Sequence, residues 1–218
     1  MIITPDTLLS AVIIRDTEII PLINRLGIRL GTADMTVDQV AEAHDLNPQF
    51  LLCIINTFTN DNYFPETALR KVDISTMIQY LELTDRYYLH FKIPNIERHF
   101  NALLSSNPEN SSLSLLHRLF DKAKTDLKAL VRHDLDTLFP AIVTGNTPAS
   151  LDDTPAAKVE EMFADLLSMI VKHISGPFDD NLCYATIVAV QGLLSDLRKN
   201  NRLRNLIFLP AAQALNHQ

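Results

Sequence analysis

The sequence predicts an all-α fold, an up-down-up-down bundle of four helices preceded by a small helical domain. Three observations carry this expectation. Apolar residues recur at helical spacing over four segments of about twenty residues or more, sustained two-residue alternation is absent, and the connections are polar and marked by proline or glycine. Long helices joined by short connections pack as antiparallel neighbours.

The elements follow in order. Leu8, Leu9, Val12 and Ile13 succeed Thr4-Pro5, and Ile19, Ile20, Leu22, Ile23 and Leu26 run up to Gly27, a stop signal. Thr36 can cap a helix through Ala43, and Asn47-Pro48 supplies the cap and first position of another that reaches about Thr59. The polar run Asn60-Asp61-Asn62-Tyr63-Phe64-Pro65 closes this part, so the predicted division is 1–70 and 71–218. The first bundle helix spans Ile74 to about Leu104 with a kink at Pro94, and the second spans Leu113 to about Val143 with a bend at Pro140. After a loop at 144–155 the third runs from Pro155 to Ile174, ended by Ser175-Gly176-Pro177. The fourth starts near Asp180 and is interrupted at Pro210. Leu81, Phe91, Leu116, Leu127, Leu166, Ile170, Val190 and Leu197 are the expected interior residues.

Composition narrows the function. The 218 residues are 47% hydrophobic and 21% charged, which is ordinary globular usage. The apolar runs fall short of the ~18 residues of a membrane span. A net charge of −7 repels nucleic acid and anionic lipid, which leaves a protein or a small ligand as the expected partner. Five glycines form neither G-x-G-x-x-G nor a P-loop, so nucleotide chemistry is disfavoured. Cys53 and Cys183 form no C-x-x-C, and no basic stretch, apolar run and cleavage site opens the chain; the reducing cytoplasm is the expected compartment.

Residues 36–57 have the outline of a helix-turn-helix, yet the second helix carries no Lys or Arg, and residues 1–70 hold four basic residues against nine acidic ones. A packing unit is the expected reading, with a transcriptional regulator as an alternative. Of the histidines His44, His90, His99, His117, His133, His173 and His217, only His117 has an acidic i+4 partner, Asp121, and a surface pair is expected there. No G-x-S-x-G occurs and neither cysteine has a local activating partner, so no catalytic residue is assigned.

An internal echo links the ends of the second and fourth bundle helices. Residues 134–142 read Asp-Leu-Asp-Thr-Leu-Phe-Pro-Ala-Ile, and 204–212 read Arg-Asn-Leu-Ile-Phe-Leu-Pro-Ala-Ala. Together with the Tyr-Phe-Pro break and the run Tyr-Tyr-Leu-His-Phe-Lys-Ile-Pro, this order resembles the di-iron iron-sulfur cluster repair proteins, whose hemerythrin-like bundle follows a small N-terminal domain. The resemblance spans about Leu22 to Leu215. The stretch matching the family's cysteine motif, Gly27 to Val37, carries no cysteine.

The resemblance implies iron ligands from all four helices, with a His-x-x-x-Glu pair ten and six residues before each helix-ending proline. Those positions hold Leu130 and Asp134 before Pro140, and Asn200 and Arg204 before Pro210. Alignment on Pro94 places a family histidine at Arg86, and the remaining histidines fall near Ser106 and Glu161. Every matched position is changed, and arginine has no lone pair for a metal. The expectation is a metal-free, non-catalytic hemerythrin-like regulatory or protein-interaction module related to the repair and stress proteins. Arg86 and Arg204 would pair with Asp134 and Glu161 across the bundle, with Asn200 and Ser106 hydrogen-bonding nearby. The alternative keeps iron in a displaced set drawn from His90, His133, Asp134, Glu161 and His173.

Overall fold

The computed structural model describes residues 2–60, 62–148 and 151–215; Asp61 and His217 lie outside them. The chain is all-helical. Leu8 and Thr36 form an isolated β-bridge, and no strand occurs among the described residues. The first part holds α1 (Leu9–Arg15), a 3₁₀ turn (Thr17–Ile19), α2 (Ile20–Arg25), α3 (Val37–Ala43), α4 (Pro48–Thr59) and α5 (Glu66–Leu69). The long rods follow as α6 (Ile74–Tyr87), α7 (Ile93–Ser106), α8 (Ser111–His133), α9 (Phe139–Val143), α10 (Thr154–His173), α11 (Asp180–Leu203) and α12 (Leu209–Ala214).

Local chemistry sets the starts. Thr36 and Gln39 form a reciprocal capping box on α3, and the Asn47 side chain accepts the Phe50 N–H on α4. Asn110 does two jobs. Its Oδ1 accepts the Ser112 and Leu113 N–H groups at the start of α8, while its Nδ2 donates to the Ser175 and Pro177 carbonyls between α10 and α11. Gly176 passes beneath this amide at φ +75°, and a Cβ there would stand 3.2 Å from Asn110 Nδ2, so the turn requires glycine.

Each predicted kink is a π turn. Tyr88–Lys92 joins α6 to α7, Asp134–Leu138 joins α8 to α9, and Arg204–Phe208 joins α11 to α12. In each, the residue before the proline donates five residues back: Ile93 to Tyr88, Phe139 to Asp134, Leu209 to Arg204. A proline inside a helix lacks an N–H and crowds the carbonyl four residues back; widening the turn by one residue relieves both defects and lets the rod continue. The inserted residue also shifts the helical register. Phe91, an expected interior residue, therefore faces solvent at 63% exposure and stacks on Tyr87 at 5.4 Å. The other seven expected interior residues are buried.

α7 packs on α8 and α11, and α10 packs on α8 and α11, so these four close a ring. Its apolar interior runs from Tyr88 to Leu197 and includes the stacked rings of Phe100 and Phe120 at 5.0 Å. A second apolar cluster joins the N-terminal helices to Ile78, Tyr80 and Leu81 of α6, to Leu138, Phe139 and Ile142, and to Leu203, Ile207, Phe208 and Ala212. The buried side chains thus divide at the π turns rather than at residue 70, with Leu135 touching both clusters. Within the second cluster α4 is largely enclosed: Phe50, Leu51 and every residue from Cys53 to Phe58 are buried, and Pro48 and Gln49 at its start are exposed.

Because the first seventy residues share their core with the ends of the bundle rods, the chain should unfold in one transition. Phe139, fully buried and edge-to-face with Phe208 at 5.7 Å, is the keystone of that shared core. Phe139→Ala is expected to lower stability by about 3–5 kcal/mol. Urea titrations followed by far-ultraviolet circular dichroism and by tyrosine fluorescence should coincide before and after the substitution; two separated transitions in the unsubstituted protein would contradict the shared core.

Candidate functional site

A layer of polar side chains lies between the two apolar clusters, at the level of the three π turns. The first residue of each turn is buried: Tyr88, Asp134 and Arg204. Arg204 and Asp134 form a two-pronged ion pair, Nη1 to Oδ2 at 2.5 Å and Nη2 to Oδ1 at 2.9 Å, with side chains only 8% and 1% exposed. One turn earlier on α11, Asn200 donates to the Tyr88 hydroxyl at 2.9 Å and to the Asp196 carbonyl at 2.8 Å. The Tyr80 hydroxyl donates to Asn200 Oδ1 at 2.7 Å.

A second two-pronged pair ties the N-terminal helices to this layer. Arg25, at the end of α2, reaches both Asp196 oxygens at 2.7 and 3.0 Å and donates to the Tyr80 hydroxyl at 3.1 Å. Phe58 and Tyr80 also face its guanidinium, at 5.2 and 5.4 Å. Burial opposes the Arg25 charge, but the Asp196 carboxylate outweighs it and holds the guanidinium pKa above its ordinary value. Burial likewise keeps both phenols protonated, pushing Tyr80 up to about 12 and Tyr88 well above its ordinary value.

Three buried atoms of the layer lack a hydrogen-bond partner, the Nε of Arg25, the Nε of Arg204 and Oδ2 of Asp85, and the carboxyl is the acidic one. Asp85 itself is buried. Burial, and after it the charge of Asp134, hold its carboxyl well above the usual range, while Arg204 pulls the other way. Glu82 adds to the rise and Arg25 opposes it.

Beside the layer opens a cleft of about 550 Å³ between the second half of α8, the start of α10, the residues Pro148, Leu151 and Asp152, and α12. The Asp134–Arg204 pair lines it, and Leu130, Leu138, Leu151, Val159 and Leu209 supply apolar wall. At its edge Asp126 meets Lys158 at 3.1 Å, and Asp152 caps α10 by accepting the Thr154 N–H at 2.9 Å.

The seven sequence-derived positions separate accordingly. Leu130, Asp134 and Arg204 line one cleft, and Asn200 joins the adjoining network. Arg86 and Glu161 do not join: both are exposed, one helix face away from the interior, so the expected Arg86 and Glu161 ion pairs are corrected to solvent-facing side chains. Ser106 is also displaced from the layer; it sits at the end of α7, where its hydroxyl donates to the Leu103 carbonyl. His90, His133 and His173 are all exposed and on separate elements. Among the described residues no three His, Cys, Asp or Glu side chains gather as metal ligands, and a guanidinium with donors only stands opposite Asp134, so these residues do not fit a di-iron centre. His117 and Asp121 form the surface i,i+4 pair at 3.2 Å, and both cysteines are buried free thiols.

Arg25, Asp196, Tyr80 and Asp85 escaped the sequence reading. The signal was present: Asp196 stands beside Leu193, Leu194 and Leu197, and Asp85 one turn from Leu81 and Tyr88, each a charge on an apolar stripe. Arg25 and Asp196 lie 171 residues apart, and nothing local pairs them. No protein-family model matches the chain, and no curated protein matches it.

Two outcomes follow from this geometry. Arg204→Ala strands the buried Asp134 carboxylate and is expected to cost about 3–5 kcal/mol in a urea titration, whereas Arg204→Leu combined with Asp134→Leu should cost less than the single change. For Asp85 the sign is fixed by its raised pKa. The folded protein retains a proton that the unfolded chain releases above pH ~4, so this residue's contribution is fullest below that pH and is lost as pH climbs toward the folded value. Asp85→Asn should raise the melting temperature more at pH 8 than at pH 5; equal destabilisation at both would show that the carboxyl is not held protonated.

Proposed function

We propose that this protein is a non-catalytic member of the hemerythrin-like four-helix bundles, related to the di-iron iron-sulfur cluster repair proteins, and that it works as a regulatory binding module rather than by metal chemistry. The observation that carries the reading is the Asp134–Arg204 pair. Both residues stand six positions before a helix-ending proline, where the related family places metal-binding carboxylates. Here one position holds a carboxylate and the other a guanidinium, each satisfying the other. The role of a shared metal, tying opposite rods together, passes to an ion pair.

Supporting this reading, α7, α8, α10 and α11 pack as a ring, and Tyr80, Tyr88, Asn200, Asp134 and Arg204 of the interior bond to one another. No helix among the described residues is long and apolar enough to cross a membrane, and the buried thiols suit a reducing compartment such as the cytoplasm. The net charge of −7 directs the module toward a protein or a small ligand rather than nucleic acid.

Metal analysis decides it. Protein purified without chelator, and again after incubation with ferrous iron under anaerobic conditions, should hold substoichiometric iron by inductively coupled plasma mass spectrometry. Stoichiometric iron that is lost on Asp134→Asn would establish a displaced metal site and overturn the proposal.

A further inference from the structure

The cleft beside the polar layer has walls whose two cations, Arg204 and Lys158, are already paired with carboxylates, while Asp152 stays exposed at the rim. Arg204 is bonded through two nitrogens to Asp134, Lys158 stands 3.1 Å from Asp126, and Asp152 is engaged by the backbone N–H of Thr154. His133, exposed at the mouth, is the remaining titratable group of the lining. Between these groups the wall is aliphatic: Leu130 and Leu151 are half-buried, and Leu138 and Leu209 retain a sliver of exposure toward the opening. A volume of about 550 Å³ falls within the roughly 300–1,000 Å³ of sites that hold small organic ligands.

We propose that this cleft is a binding site for an uncharged, largely apolar small molecule. The class follows from charge complementarity. A charged ligand would shed its water against aliphatic walls; an anion would find both cations already paired, and a cation would find Asp126 and Asp134 paired and only Asp152, exposed to water at the rim, without a cationic partner. A neutral ligand bears neither cost. It covers the exposed parts of Leu130, Leu151 and Leu209, and its presence dries the Asp134–Arg204 pair, which strengthens the attraction within it. Occupancy is therefore linked to the tie between α8 and α11, and a ligand bound only by the folded cleft stabilises the chain by mass action. The inference concerns the cleft alone and holds whatever the ancestry of the fold.

Three pyrene probes of matched shape test it: 1-pyrenemethanol, which is neutral, 1-pyrenecarboxylate and 1-pyrenemethylammonium. Fluorescence titration of the full chain at pH 7.5 should show saturable binding of the neutral probe at least about tenfold tighter than either ion. Leu130→Trp, which fills the cleft, should weaken the neutral probe by about tenfold or more, as should Leu151→Glu, which puts an unpaired charge at the mouth. Phe91→Ala, a change at an exposed apolar residue that does not line the cleft, should leave binding unchanged. Each variant is first checked for a native far-ultraviolet spectrum, and two cleft variants are used so that a folding failure in one still leaves the other to decide. Absence of saturable binding, equal or tighter binding of either ion, or neutral binding that survives both cleft substitutions would overturn the proposal. Because metal content is not read here, a negative result separates from failure of the hemerythrin-like reading.

Discussion

Three prolines set inside long helices constrain the molecule more than any other feature. Pro94, Pro140 and Pro210 each remove a donor and press a ring toward the carbonyl four residues back, and each is accommodated by a π turn. The widened turns lie at one level of the structure. Their first residues, Tyr88, Asp134 and Arg204, are polar and turned inward, so the device that keeps the rods continuous also delivers polar groups to the interior. Everything above that level packs with the N-terminal helices, and everything below it belongs to the ring of α7, α8, α10 and α11.

A polar layer between two apolar cores has largely to satisfy itself, because its side chains are almost wholly withdrawn from water. Two arginines answer two aspartates in two-pronged pairs, and the Tyr80 and Tyr88 hydroxyls close around Asn200. Such pairs contribute little net stability against an apolar replacement, but leaving one half unpartnered is costly, so they specify which rods meet and in what register. Among the acids of the layer, Asp85 marks where satisfaction fails. One arginine, Arg204, lies near two carboxylates and bonds only Asp134, and Asp85 meets the conflict by keeping its proton.

The same arithmetic bears on function. Arg204 offers donors only to the carboxylate opposite it, and the adjoining cleft presents aliphatic surface beside the Asp134–Arg204 and Asp126–Lys158 pairs.

Helical class, cap positions and most buried residues were legible in the sequence, because they rest on local periodicity: Thr36 and Asn47 cap where their hydroxyl and amide predict, and Leu116, Leu127, Leu166 and Val190 fall on the apolar stripe. The prolines were legible as disturbances, and the echo at 134–142 and 204–212 marked Asp134 and Arg204 as equivalent positions. Tertiary structure alone decided the rest. A π turn moves every later side chain by about 100°, which sends Phe91 outward although a straight helix places it inside. Arg86 and Glu161 fall outside the interior for want of a register that local spacing could supply, while Arg25 and Asp196 meet across 171 residues. Periodicity records which face of a helix avoids water; which faces meet, and which charges find each other there, is settled only when the rods are packed.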